Sequence, residues 1–139
     1  MSNERRLRIP ATTENIREAV QFVIEAAQNV GLSDDSIYHC ELSLDEILNN
    51  IIEHGYTPSE DGQFIDIICQ LHHDRLVIII EDDAPPFNPL TMPDPNPKEA
   101  LEERGIGGWG VYLVKQYMNQ VSYTYTPNKR NRFVMEKRR

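Results

Sequence analysis

With 139 residues the chain can bury one core and is too short for two. Apolar residues make up 40% and charged residues 26%, which excludes a disordered chain, and a net charge of 14 − 22 = −8 argues against generic binding to nucleic acid or an anionic membrane. No apolar run approaches the roughly 20 residues of a membrane span, and no apolar segment follows the charged opening Met-Ser-Asn-Glu-Arg-Arg, so one cytoplasmic domain spanning residues 1–139 is expected.

Leu7-Arg8-Ile9 alternates apolar and charged side chains and stops at Pro10, the pattern of a short edge strand. Thr12 or Thr13 is expected to cap a first helix, whose buried face is Ile16, Val20, Val23, Ala27 and Val30 and whose end is Gly31. Ser33 caps a second helix, with Asp34 and Asp35 at the positive end of its dipole. Its core stripe is Ile37, Cys40, Leu44, Ile47, Leu48 and Ile51. Beside that stripe runs a polar line, Ser43, Glu46, Asn50 and His54, at offsets of three, four and four. Gly55 stops the helix, and residues 57–62 form a turn.

Phe64 to Leu71 and Leu76 to Ile80 are β-branched runs joined by His72-His73-Asp74-Arg75. Between Ala84 and Arg104 six prolines break regular periodicity, with room for a helical turn at Lys98 to Glu103; a loop this long in a small domain reads as a lid. After Gly105-Ile106-Gly107-Gly108-Trp109-Gly110 come Val111, Leu113, Val114, Tyr117 and Met118 at helical spacing. Val121 to Thr126 and Arg132 to Glu136 are the closing strands. The expected fold is an α/β two-layer sandwich, a mixed and mainly antiparallel sheet covered on one face by three helices. Cys40 and Cys69 read as buried free thiols, and the histidines lack the spacing of a zinc site.

Three groups of residues permit chemistry. Gly105, Gly107 and Gly110 satisfy G-x-G-x-x-G, but no strand precedes them, as a dinucleotide fingerprint requires. They read either as a structural turn or as a helix N-terminus whose N–H groups approach an anion. Glu46 and Asn50 form either a solvated helix face or a carboxylate and carboxamide able to share Mg2+ and accept a proton. Asp82 at a strand end is either a turn acid or an acceptor for an exocyclic amine such as that of adenine. His54 is either a cation at a helix C-terminus or part of that site.

Taken in order, these segments resemble a known family. Glu46-Ile47-Leu48-Asn49-Asn50 through Tyr56 resembles the N box of the GHKL ATPase superfamily, Asp82 through Pro89 its G1 box, and Arg104 through Val114 its G2 box. Within it the chain is most similar to single-domain anti-sigma-factor serine kinases of the RsbW and SpoIIAB type. The resemblance implies a Bergerat-type ATP-binding sandwich with a mobile lid and ATP and Mg2+ as cofactors. It implies Glu46 as the base for an accepting serine, Asn50 as the Mg2+ ligand and Asp82 as the adenine acid. Ala84 and Phe87 of the G1 box would lie at the nucleotide, and Arg104, Gly105, Ile106, Gly107, Gly108, Trp109, Gly110 and Val111 would form the hinge and phosphate side. The implied partners are a STAS-type antagonist, a sigma factor or comparable target, and a second copy of the chain through Leu7, Ile9 and the first helix. The sequence departs from the pattern in two places that matter. Ala84 stands where the G1 box usually has Gly, at a cost if that position needs positive φ. Asn131-Arg132-Phe133 stands where a Thr is often found near the adenine. The competing expectations are a nucleotide-gated binding module without kinase activity, a detached ATP-binding half of a histidine kinase, and a structural domain with no ligand.

Overall fold

The computed structural model describes residues 3–56, 62–91 and 107–139, without the side chains of residues 107–109. Along the chain run β1 (Asn3–Pro10), α1 (Ile16–Val30), α2 (Asp34–Gly55), β2 (Phe64–Leu71), β3 (Arg75–Asp82), α3 (Gly107–Tyr117), β4 (Gln120–Tyr125) and β5 (Asn131–Arg138). The strands form one sheet in the order β1-β2-β3-β5-β4, and every pairing is antiparallel. The mixed, mainly antiparallel sheet expected thus narrows to a wholly antiparallel one, for a topological reason. Two helices between β1 and β2 reverse the chain twice and return it antiparallel. The single helix between β3 and β4 returns it parallel, as one crossover does. β5 then folds back from β4 and inserts between β3 and β4, so no two parallel strands touch.

Pleating divides the sheet into two unlike faces. Ile9, Ile65, Ile67, Ile78, Ile80, Phe133 and Met135 point toward the helices and merge with the apolar faces of α1 and α2 and with Val114 and Met118 in one core. Ile9 is fully buried there, so it cannot serve as the contact surface expected of it. The opposite face carries Arg8, Asp66, Glu81 and Arg132, register partners across four strands. Arg8 donates to Asp66 from Nε and Nη2 at 2.8 and 3.0 Å, and Arg130 reaches the same carboxylate at 2.9 Å.

Helix boundaries show which local signals prevailed. Gly31 adopts φ 87° and ψ 30°, and two bonds, Gly31 N–H to Gln28 O at 3.0 Å and Leu32 N–H to Ala27 O at 3.1 Å, close α1. Ser33 Oγ accepts from Ser36 N–H at 3.1 Å, capping α2 as expected. At the start of α1 neither Thr12 nor Thr13 caps. A 3-10 turn over Thr13–Asn15 intervenes, and Asn15 Nδ2 donates to Thr12 Oγ1 at 2.6 Å, which occupies the hydroxyl a cap would have used. β1 extends four residues further toward the N-terminus than its alternation suggests, because charged side chains are tolerated on an exposed edge. Leu113 lies 37% exposed rather than in the core stripe of α3. Cys40 and Cys69 are buried free thiols, each pushed up to about 12 by burial. His39 is half-buried and stacks on Tyr117 at 4.4 Å.

Candidate functional site

The polar line of α2 organises the site. Ser43 and Asn50 are buried and Glu46 is half-buried, so a solvated helix face is the wrong description for them; His54 alone stays exposed. Ser43 Oγ is the one fully buried side-chain polar atom without a hydrogen-bond partner among the described residues. Asn50 Nδ2 donates to the Glu46 carbonyl at 2.8 Å, which commits the amide nitrogen and leaves Oδ1 as the group's acceptor. Burial, and then the neighbouring charge of Asp45, push the Glu46 carboxyl above the ordinary carboxylate range.

Each end of that line meets a different glycine-dependent contact. α3 begins at Gly107, and at Gly110 it lies directly against Glu46. A Cβ at Gly110 would stand 1.9 Å from Glu46 Oε2 and 2.5 Å from its Cδ. Nine residues further along α2, about 14 Å at 1.5 Å per residue, Gly55 lies against Ala84, where an added Cβ would stand 3.0 Å from the alanine methyl. Gly55 is the last residue of α2 and has no left-handed φ, so close approach rather than helix termination explains it. The adjacent His54 ring stacks on Phe87 at 4.7 Å. Among the described residues only Lys129 has a positive φ outside glycine, so Ala84 carries none of the strain feared for it.

Asp82 closes the site from the sheet. It is 1% exposed, at the end of β3 on the helix-covered face. The Ala84 N–H and Asn131 Nδ2 both donate to its Oδ1 at 2.9 Å. Burial raises the Asp82 carboxyl above its ordinary range, against the opposing effects of Asn131, the Ala84 amide and the Tyr56 hydroxyl. Asn131, its register partner on β5, is 5% exposed and holds the whole turn. Its Nδ2 also reaches the carbonyls of Ala84 and Pro85 at 2.9 and 3.2 Å, while its Oδ1 accepts from Phe87 N–H at 3.0 Å and from the Tyr123 hydroxyl. In the sequence Asn131 stands out only as a departure from a family pattern and Gly55 only as a stop signal, and Tyr123 carries no signal at all.

Glu46, Asn50, Asp82, Ala84, Phe87 and Gly110 therefore gather along one side of α2, with Val111 buried beside Gly110 on α3. Gly107, Gly108 and Trp109 form the first turn of α3. Arg104, Gly105, Ile106, the expected lid from residue 92 onward and the helical turn expected at Lys98 to Glu103 lie outside the described residues. A cavity of about 220 Å3 opens behind the Asp82 turn, lined by Arg8, Tyr56, Phe64, Asp83, Pro85 and Arg130 among others, and takes in none of Glu46, Asn50 or Asp82. Among the described residues no cluster of three or more His, Cys, Asp or Glu side chains could cage a metal, and no helix is long and apolar enough to cross a membrane.

A family model described as a histidine kinase-like ATPase domain matches residues 9–137. The chain is 26% identical over 119 residues to a serine-protein kinase RsbW of Oceanobacillus iheyensis, covering 83% of this chain and 75% of that one. It is 28% identical over 122 residues to the Bacillus mycoides protein of the same name, with 83% and 73% covered. Against the Listeria innocua one it is 25% identical over 123 residues, with 86% and 78% covered. A crystal structure of the RsbU and RsbW domains of a Mycobacterium tuberculosis protein matches 96% of this chain with a TM-score of 0.60 and 14% identity, and the chain spans 32% of that one's length. This last likeness bears out the two-layer α/β fold.

Proposed function

The chain belongs to the histidine kinase-like ATPase domain family, and on that premise we propose that residues 1–139 act as one ATP- and Mg2+-dependent serine kinase domain of the anti-sigma-factor type. Its substrate would be a serine of a STAS-type antagonist, and its regulatory target a sigma factor or comparable protein in the cytoplasm. A homodimer belongs to the same reading, with Leu7 and the outward side of α1 as the surface to test. The observation that carries the proposal is the convergence of a half-buried carboxylate, a buried carboxamide and a sheet-end acid along about 14 Å of one helix, with a helix N-terminus at the carboxylate end.

The residues fit these roles chemically. Asn131 and the Ala84 amide hold the first oxygen of Asp82, and its second oxygen would accept from an exocyclic amine. Ala84 and Phe87 shape the purine end, and Phe87 is fixed there by the hydrogen bond its backbone N–H donates to Asn131 Oδ1. A donor set of one neutral carboxamide oxygen suits a Mg2+ that arrives with phosphates and keeps most of its waters. Asn50 Oδ1 would hold it, and the ion would supply charge neutralisation for the transferring group. Gly107, Gly108 and Trp109 open α3, where N–H groups and the helix dipole favour phosphate oxygens; Arg104, Gly105, Ile106 and Val111 complete that side of the reading. Glu46 accepts the serine hydroxyl proton as the serine oxygen bonds to the γ-phosphorus and the bond to the β,γ-bridging oxygen breaks. Phosphoserine and ADP leave, with the proton on Glu46 for release to solvent.

The direct test mixes the protein, its STAS-type antagonist, ATP and Mg2+, and follows the antagonist by intact mass. Addition of one phosphate to serine is expected, and Glu46→Gln should slow it by about 10^2- to 10^4-fold. Nucleotide binding with an unchanged antagonist mass would favour the module without kinase activity, and phosphate on histidine would favour the detached histidine-kinase half. The main reason to prefer the module, backbone strain at Ala84, is removed by its ordinary φ.

A further inference from the structure

We infer that Gly110 is a positioning residue for the base: the space left by its missing side chain is the slot in which the Glu46 carboxylate rests against α3. The inference rests on the kinase reading and assigns Gly110 to the carboxylate rather than to the nucleotide, where the resemblance had placed it.

Glycine weakens a helix interior, so one in the fourth position of α3 needs a reason. The backbone supplies none, because Gly110 has no left-handed φ. Packing supplies one. Three atoms of a single side chain crowd the place of a Cβ: Glu46 Oε2 at 1.9 Å, Cδ at 2.5 Å and Cγ at 3.2 Å. The carboxyl group therefore lies along the bare Cα of Gly110, and Gly110 itself is buried by the contact. Ordinary Cβ atoms do not approach other atoms at such distances, so a methyl group at position 110 must move something. What yields is the far end of a flexible glutamate rather than backbone, so the fold can accept alanine there while the carboxylate cannot stay. A base displaced by even about 1 Å loses its hold on the proton-transfer geometry. Any movement of α3 would act on Glu46 through the same contact.

The test is a double-mutant cycle on the full chain with ATP, Mg2+ and the STAS-type antagonist. Gly110→Ala should lower kcat by about 30-fold or more while the Kd for ATP, by calorimetry, stays within about threefold. In the Glu46→Gln background, where the base is already gone, the same change should alter kcat by less than about threefold. Equal losses in both backgrounds, an ATP affinity that falls in parallel with the rate, or full activity in Gly110→Ala would overturn the inference. If the unaltered chain transfers no phosphate, it is the kinase reading that fails, and a thermal cycle judges the contact by itself. Gly110→Ala should then lower Tm in the unaltered chain and leave it nearly unchanged in Glu46→Ala, which vacates the slot; equal shifts would refute the contact. Should Gly110→Ala not fold at all, the Glu46→Ala/Gly110→Ala double variant must still fold, or the slot is not the reason for the glycine.

Discussion

Asp82 and Asp66 stand on opposite faces of the same sheet, and their surroundings differ in kind. Asp66, on the open face, is gripped by two guanidiniums; hydrogen bonding from Arg8, with Arg130 adding to it, holds its carboxyl below the usual carboxylate range. Asp82, on the covered face, has neutral neighbours within bonding distance, an amide side chain and a backbone N–H, and burial raises its carboxyl above that range. Burial likewise raises the Glu46 carboxyl, with the neighbouring charge of Asp45 adding to it. The open-face acid is satisfied by charge and serves the sheet. The covered acids are oriented without being neutralised, which is the state required of a group that must recognise an amine or accept a proton. Burial raises both covered carboxyls, and the contacts around each say what it faces.

That contrast can be broken at Asn131. Asn131→Ala removes the amide that orients Asp82 and ties down the 84–87 turn, leaving buried oxygens short of donors. A stability loss of about 1–3 kcal/mol by urea unfolding is expected, together with weaker ATP binding. Unchanged stability and affinity would mean that the turn holds itself.

The contact between Gly55 and Ala84 gives a smaller, paired effect. Gly55→Ala should destabilise by about 1 kcal/mol or more through overpacking against the Ala84 methyl. Gly55→Ala/Ala84→Gly should recover most of the loss, since the methyl is only moved across the gap. If the double variant is as unstable as the sum of the singles, the two positions do not share one space.

The smallest effect belongs to the open face. Arg8 is largely exposed in its pair with Asp66, so Asp66→Asn should cost about 1 kcal/mol or less, and less again in high salt. The sign with pH separates the faces. The stability from Asp66, whose folded pKa is lowered, is present above the ordinary carboxylate value of about 4 and fades as pH falls through the lowered one. Asp82 and Glu46, raised in the folded state, act in reverse: stability is fully present below that value and is lost as pH rises through their raised values. Urea midpoints from pH 3 to 7 should therefore show Asp66→Asn flattening the acid side of the curve and Asp82→Asn the side above it; the opposite pattern would reverse the assignments.

Much of this arrangement was written locally. The polar line of α2 follows from offsets of three and four residues, and the C-terminal end of α1 and the start of α2 follow from Gly31 and Ser33. The strand before Asp82 follows from its β-branched run. What could not be read was every contact set by register or packing. Asn131 meets Asp82 across 49 residues because β5 inserts beside β3 in one particular register. Gly110 meets Glu46, and Gly55 meets Ala84, because two elements approach closely, and in a sequence each glycine looked like a turn, a hinge or a stop. The Thr12 cap failed for a similar reason, since Asn15 offers the hydroxyl a nearer donor.

Calorimetric titration of ATP with Mg2+ into the unaltered chain, Asp82→Asn and Asp66→Asn tests the distinction between the faces most directly. The account predicts binding heat for the unaltered chain, an affinity lower by about tenfold or more in Asp82→Asn, as for a lost hydrogen bond to a charged group, and an unchanged affinity in Asp66→Asn. No heat with folded protein, or equal affinities in all three, would contradict it.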